Sequence, residues 1–262
     1  MAKELTQHRI QRYGWVPDLP DARDHLYSAP IAAIGPLPPS KDLRPQCPEV
    51  YDQGQLGSCT GNAIAGAIQF ERMKQNLTPD FVPSRLFIYY NERVIEHTVP
   101  YDAGAQIRDG IKSVVTIGAC NEDLWQYDIT KFAMQPPKPA YDAAAGTKAV
   151  SYSRVARALL QMKGCIASGY PFVFGFTVYD SFESPGVAQT GILNMPDLSK
   201  ESVVGGHAVL AVGYDDQAQR FTVRNSWSAA WGQAGYFTMP YAYLMEPNLS
   251  DDFWTIRLIS GS

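Results

Sequence analysis

The chain has 262 residues, of which 45% are apolar and 18% charged, as in an ordinary globular protein with a buried core. Its 22 Lys and Arg against 26 Asp and Glu give a formal net charge of −4. Without a positive excess to bind phosphates, a nucleic-acid partner is disfavoured. The longest strongly apolar stretch, residues 170–179, is far shorter than the ~20 residues that span a bilayer. We therefore expect no membrane partner.

The predicted elements fall into three segments. Residues 1–40 contain six prolines and no helical or strand period, which predicts an extended arm. Residues 41–140 are predicted to be mainly helical, and residues 141–262 mainly β. Helices first and strands later predict an α+β chain with two subdomains. The predicted helices cover 60–74, 83–94, 107–117 (ended by Gly118) and 155–162 (ended by Gly164), and the predicted strands cover 172–178, 207–214, 221–225, 235–239 and 253–259.

The cysteine spacing indicates whether a metal site is expected, and the first residues of the chain indicate its cellular compartment. The cysteines form no close C-x-x-C pair, so we expect no zinc site, and we expect no cofactor. Their pairing is left open by the sequence. Residues 1–15 lack the apolar core and cleavage site of a secretory signal, which predicts a cytoplasmic protein.

The most informative stretch is residues 53–63, where Cys59 follows a Gly-Ser turn and directly precedes a predicted helix. The positive end of a helix dipole lowers the pKa of a thiol and favours the thiolate. Cys59 is therefore a candidate nucleophile, the alternative being a buried structural cysteine. The remaining cysteines lack this setting and are interpreted as structural; Cys120 and Cys165 each lie beyond a glycine that ends a predicted helix, and Cys47 is flanked by a proline.

A cysteine nucleophile needs a base, and only His207 opens an apolar predicted strand; His8, His25 and His97 lie in the arm or in a polar loop. Asn225, at the end of another predicted strand, can accept a hydrogen bond from one imidazole nitrogen, so that the other faces the sulfur. Trp227 would shield that bond from water. The alternatives are a core histidine bound to a carbonyl and an Asn-Ser-Trp turn without a role.

Together these residues resemble the papain-like (C1) cysteine peptidases, over about residues 42–262. The His and Asn follow the Cys at about the family's spacing. Asp42-Leu43-Arg44 is similar to the start of the mature enzymes, and the short arm with Gly-Ser-Cys-Thr is most similar to bacterial members. The matching motifs are Gln53 six positions before Cys59, Gly206-His207-Ala208-Val209, Val212-Gly213-Tyr214, Asn225-Ser226-Trp227, Trp231-Gly232 and Gly235-Tyr236.

The resemblance implies a papain-like α+β fold, with a helical subdomain, a β-barrel-like subdomain and the active-site cleft between them. It implies an endopeptidase in which a Cys59–His207 thiolate–imidazolium pair attacks the peptide carbonyl. The oxyanion would be bound by the Cys59 backbone N–H and the Gln53 amide.

The resemblance also implies a substrate site. The Gly104 backbone would pair with the substrate residue before the scissile one. Small residues would line a roomy S2 pocket that accepts Phe or Leu; the alternative is that they are ordinary packing positions. These residues are Ala105, Gly175, Gly206 and Ala208.

Three departures from the family pattern bear on function. Leu56 stands where most members have a cysteine, so their disulfide bridge from the active-site loop is absent. Thr60 replaces the usual Trp, and Ser228 the usual Gly.

Acyl transfer or deamidation on the same site, or a catalytically silent binding module, are the alternatives to a peptidase. The intact catalytic residues argue against the silent module.

The arm has a predicted role of its own. Family precursors carry an N-terminal segment that crosses the cleft backwards, although it is usually longer and helical. We expect residues 1–40 to form a short self-inhibiting strap over Cys59 and the Gly104 loop, with Tyr13, Trp15 and Tyr27 as apolar anchors. The alternative is an arm packed on the back of the barrel. The expected partners are thus a peptide or protein substrate and the protein's own arm.

Overall fold

The computed structural model describes residues 13–28 and 36–260. His8 and the rest of the predicted arm in 1–12 and 29–35 lie outside the described residues. The helices are α1 (Cys59–Lys74), α2 (Arg85–Ile95), α3 (Ile107–Thr116), α4 (Lys138–Ala144), α5 (Leu159–Ala167), α6 (Pro185–Thr190) and α7 (Tyr241–Met245), with 3₁₀ turns at Arg44–Gln46, Ile129–Lys131 and Asp180–Glu183. The strands are β1 (Leu26–Tyr27), β2 (Ser40–Asp42), β3 (Ala149–Val155), β4 (Phe172–Tyr179), β5 (Val203–Asp215), β6 (Arg220–Arg224), β7 (Tyr236–Pro240) and β8 (Ser250–Ile259).

Helix α1 forms the centre of the helical part and is buried along nearly its whole length. It contacts α2 on one side and strands β5 and β8 on the other. Gly61 permits the close approach of α2, because a Cβ there would lie 2.8 Å from the Arg85 carbonyl oxygen. The Ser84 hydroxyl caps α2 by accepting a hydrogen bond from the Phe87 N–H at 3.2 Å. The nucleophile candidate thus begins a rigid, buried helix.

The strands form one sheet in the order β1-β3-β8-β4-β5-β6-β7, with β2 added to β5. Strands β4 and β5 are antiparallel, with Phe176 opposite His207 and Gly175 opposite Ala208. The phenylalanine side chains of β4, at positions 172, 174 and 176, are fully buried. Burial on this scale anchors the strand that carries the histidine.

Most predicted elements agree with the structure within a few residues, and the α+β order is confirmed. The helix predicted over 155–162 is wrong, because Val155 ends β3 and the helix runs from Leu159 through Gly164 to Ala167. Burial of Met162, Cys165 and Ile166 on one helix face offsets the ~1 kcal/mol that an internal glycine costs. Cys165 therefore lies inside a helix rather than beyond its end. The subdomain boundaries at 40 and 140 stay predictions.

Candidate active site

Cys59 is the first residue of α1 and has no exposed surface. Burial raises the pKa of its thiol to about 12, although the backbone N–H groups of Ala208, Gly14 and Thr60 act to lower it. This differs from the lowered pKa that the helix end alone predicts. Gly14 belongs to the arm, so the arm helps to exclude water from the sulfur. The contact with Ala208 brings the sulfur beside the strand of His207.

The His207 ring is held by Asn225, as the sequence predicts. Nε2 of His207 lies 2.8 Å from Oδ1 of Asn225, and the same oxygen accepts the Ser226 N–H at 2.9 Å. Because an amide oxygen only accepts, Nε2 carries the proton of the neutral ring. The Trp227 ring stacks on the imidazole, with 5.1 Å between centroids and 29° between planes. Both side chains are buried, so Trp227 covers one face of the imidazole.

Gln53 is fully buried beside this pair. Its Nε2 donates to the Leu56 carbonyl at 2.9 Å, and its Oε1 accepts from the Ser226 hydroxyl at 2.6 Å. The backbone N–H of Gln53 also donates to the Ser226 carbonyl at 2.9 Å. Ser226 therefore links the glutamine loop to the Asn225 loop. Sequence reasoning gave Ser226 no role, although it lies inside the motif that identified Asn225.

Residues 13–16, which we call the inner arm, contact the same region. The Ala105 N–H donates to the Gly14 carbonyl at 2.7 Å, and the Val16 N–H donates to the Ala105 carbonyl at 3.0 Å, so Trp15 and Ala105 form a parallel β-bridge. The Trp15 N–H donates to the Gly206 carbonyl at 2.9 Å. The inner arm therefore runs between the loop before α3 and strand β5.

Two of the predicted substrate-binding residues, Gly175 and Gly206, lie against the Trp15 side chain. A Cβ on Gly175 would lie 2.0 Å from the indole and one on Gly206 2.7 Å from it, and Ala208 is the β-sheet partner of Gly175. The indole N–H donates to Oδ2 of Asp252 at 3.0 Å, a buried contact that the sequence did not predict. These small residues thus create a pocket that accommodates an indole.

The Gly104 N–H is directed away from the inner arm. It donates to the Tyr89 hydroxyl at 3.2 Å, and Ala105 makes both backbone bonds to the inner arm. Gly104 is nevertheless required by its φ of +73° and because a Cβ would lie 2.3 Å from the Gly14 carbonyl oxygen. The backbone bonds to the inner arm are thus made by Ala105, and the pairing of Gly104 with a substrate stays a prediction.

Tyr13 lies over the histidine. Its ring meets that of His207 edge-on, with 5.9 Å between centroids, and its hydroxyl donates to Oε1 of Glu183 at 2.7 Å. Burial and the Glu183 carboxylate raise the pKa of the Tyr13 phenol above its ordinary value. Tyr13 is therefore a neutral donor on the histidine side of the site.

The remaining cysteines agree with a structural interpretation. All four cysteines of the chain, Cys59 included, are free thiols. Burial raises the pKa of Cys47 and Cys165 to about 11 and that of Cys120 to about 12. Across residues 13–28 and 36–260, no cluster of three or more His, Cys, Asp or Glu side chains is suited to a metal ion. No helix in these ranges has the length and apolarity to cross a bilayer.

Comparisons with known proteins agree with this geometry. The model of the papain family cysteine proteases matches residues 37–249. An uncharacterized peptidase C1-like protein of Acanthamoeba polyphaga mimivirus is 41% identical over 95% of this chain and 88% of its own. The cathepsin B-like CP3 of Giardia intestinalis is 30% identical over 76% of this chain and 68% of its own. The crystal structure of xylellain, a cysteine protease from Xylella fastidiosa, is 44% identical and superimposes with a TM-score of 0.89 over 99% and 100% of the two chains. The papain-like α+β fold is thus confirmed.

Proposed function

Because the chain belongs to the papain family of cysteine peptidases, we propose that it cleaves internal peptide bonds through Cys59, His207 and Asn225. The observation that carries this proposal is the 2.8 Å contact between His207 and Asn225 beside a cysteine at a helix N-terminus. The Asn225 oxygen fixes Nε2 as the protonated nitrogen, so Nδ1 is the atom that exchanges a proton with the sulfur.

The reaction follows from these roles. Nδ1 of His207 takes the Cys59 proton, and the thiolate attacks the peptide carbonyl carbon to form a C–S bond and an oxyanion. The oxyanion collapses, the C–N bond breaks, and the imidazolium gives its proton to the leaving amine. Water, deprotonated by His207, then attacks the thioester, which releases the acid and restores the thiol.

Gln53 is proposed as the side-chain donor to the oxyanion, beside the backbone N–H of Cys59. One hydrogen of its Nε2 is used by the Leu56 carbonyl, which leaves the second for the oxyanion. The Ser226 hydroxyl holds the opposite end of the amide and prevents its rotation. A donor fixed in this way needs no reorganisation when the charge forms.

We further propose that the inner arm inhibits the enzyme in cis. Its support is the set of contacts of Tyr13, Gly14 and Trp15 with the histidine, the sulfur and the small-residue pocket. A substrate needs the same Ala105 backbone groups and the same pocket. The fit of Trp15 also supports a preference for large aromatic or apolar substrate residues at this subsite, the class that includes Phe and Leu.

Labelling and product analysis test the proposal. A thiol-directed epoxide peptide should give a single adduct, on Cys59, and Cys59→Ala should abolish turnover of a fluorogenic dipeptide amide without changing the Tm. Peptide libraries analysed by mass spectrometry, with and without an added amine, separate hydrolysis from acyl transfer and deamidation. Activity retained by Cys59→Ala, or products dominated by the amine adduct, would contradict an endopeptidase.

A further inference from the structure

Two loops of the helical part, one ending at Cys59 and one ending at Ala105, have no covalent link between them. The nucleophile loop is residues 53–59, and the pairing loop is residues 101–105. Leu56 stands where the resemblance to the papain-like peptidases implies a cysteine, and all four cysteines of the chain are free. Some non-covalent interaction must hold the two loops in register.

The geometry points to Asp102 as a positioning residue that takes the place of the missing disulfide. Its carboxylate accepts the Gly57 N–H, with Oδ1 at 3.2 Å and Oδ2 at 3.0 Å. The Tyr89 hydroxyl donates to Oδ1 and accepts the Gly104 N–H at 3.2 Å. Gly57, Asp102, Tyr89 and Gly104 thus form one hydrogen-bonded chain between the loops, which we call the clasp.

An apolar cluster lies under the clasp and joins the same elements. Leu56 of the nucleophile loop and Ala105 of the pairing loop pack with Leu86 and Tyr89 of α2, and all four are buried. The leucine that replaces the cysteine therefore keeps a contact across the loops through packing. Packing alone does not fix a register, whereas the directed bonds of the clasp do.

The protonation states suit the clasp. Burial and the Asp102 charge raise the pKa of the Tyr89 phenol above its ordinary value, so the hydroxyl remains a donor. Hydrogen bonds to a carboxylate are stronger than those between neutral groups. From the other side of the pairing loop, the Arg93 guanidinium donates to the carbonyls of Val99 at 2.8 Å and Tyr101 at 3.1 Å. The pairing loop is therefore held at both ends.

The consequence for the reaction rests on the proposed roles of Cys59 and Ala105. A substrate must reach the Cys59 sulfur while its preceding residue pairs with the Ala105 backbone. The clasp joins Gly57, two residues before Cys59, to Gly104, which directly precedes Ala105, so it sets the separation of the sulfur and the pairing backbone. A misplacement of ~1 Å at this point costs about a hundredfold in rate. Substrates that contact both loops depend on the clasp, and substrates that contact only the nucleophile loop do not.

The test compares two substrates on the full-length chain. One is a dipeptide amide with Phe at the pocket position; the other is p-nitrophenyl acetate, which cannot reach Ala105. The measured quantity is kcat/KM for the dipeptide divided by kcat/KM for the ester. Asp102→Ala and Tyr89→Phe should lower this ratio by about tenfold or more, mainly through the KM of the dipeptide. Asp102→Asn keeps one acceptor and should restore part of the ratio. The exposed carboxylate of Asp142, which pairs with Lys138, provides the control Asp142→Asn, which should leave the ratio unchanged.

The ratio is independent of how often the inner arm leaves the site, because both substrates need the open enzyme. Amide hydrogen exchange at Gly57 and Gly104, which requires no activity, should become faster in Asp102→Asn. An unchanged ratio overturns the positioning role of Asp102, whatever the exchange rates are. Faster exchange without a change in the ratio would mean that Asp102 only stabilises the loops. If the unsubstituted chain hydrolyses neither substrate, the proposed function is contradicted instead.

Discussion

Replacing Trp15 by Ala should open the active site. Trp15 contributes the largest side chain of the inner arm, is 9% exposed, and gives its indole N–H to Asp252. The backbone bonds of the inner arm and the side-chain contacts of Tyr13 remain when Trp15 is replaced by alanine. The substitution therefore removes the Trp15 side-chain part of docking and leaves the chain path intact.

The magnitude follows from burial. Truncating a buried Trp to Ala costs about 3–5 kcal/mol. The lower end applies here because water can refill the vacated pocket and because Asp252 keeps its bonds to the Asp18 N–H and to Arg154. A loss of about 3 kcal/mol reduces the docking equilibrium constant by roughly a hundredfold. The rate of Cys59 labelling should rise by up to that factor, until the open form predominates.

The assay is the rate of Cys59 alkylation by an epoxide peptide, measured well below the Tm of each variant, together with kcat/KM for a dipeptide amide. Leu19→Ala serves as the control, because Leu19 lies in the same arm but is 72% exposed. It should label at the rate of the unsubstituted chain. A Trp15→Ala protein that is folded but labels no faster than the control would refute the inhibitory role of the inner arm.

Three further outcomes are expected. Gln53→Ala should lower kcat by ~10²–10³ with little change in KM, because its amide binds a charge that exists only in the transition state; a loss confined to KM would contradict this. His207→Ala should shift the pH midpoint of Cys59 alkylation toward ~8.5 in the Trp15→Ala background, and an unshifted midpoint would mean that another base acts. Burial raises the pKa of the Glu71 carboxyl from its ordinary 4.5 to about 7. The folded state therefore binds this proton more tightly than the unfolded chain does. As a result, the free energy of unfolding falls as pH rises from about 4.5 to about 7. Glu71→Gln should therefore raise the Tm at pH 8 but not at pH 4, and equal shifts at both pH values would contradict the assignment.

The sequence predicted the elements whose signal is local. Helix α1 has a long apolar face, and the strand of His207 has a continuous apolar run, so both were located within a few residues. Strand β3 was missed because its residues are mostly half-buried and show little alternation. The cytoplasmic location and the subdomain boundaries stay predictions.

The sequence predicted the site contacts between residues of the recognised motifs. It did not predict contacts between residues that lie far apart in the sequence and belong to no motif. Asn225 and Trp227 lie beside His207 as their motif implies. The bond between Trp15 and Asp252 joins positions 237 residues apart, and no local pattern marks it. Ala105, rather than Gly104, pairs with the inner arm because Tyr89 occupies the Gly104 N–H.

The short parallel pairing of β1 with β3 has a consequence for how the proposed inhibition by the inner arm depends on enzyme concentration. Leu26 lies opposite Arg154 in the sheet, and Tyr27 is buried in the core. The inner arm is thus tethered by residues 17–25, and a short tether gives an effective concentration on the order of millimolar. A displaced arm therefore competes with substrate equally well at any dilution of the enzyme. A single cut within 17–25 would turn the same contacts into a bimolecular complex that dilution dissociates.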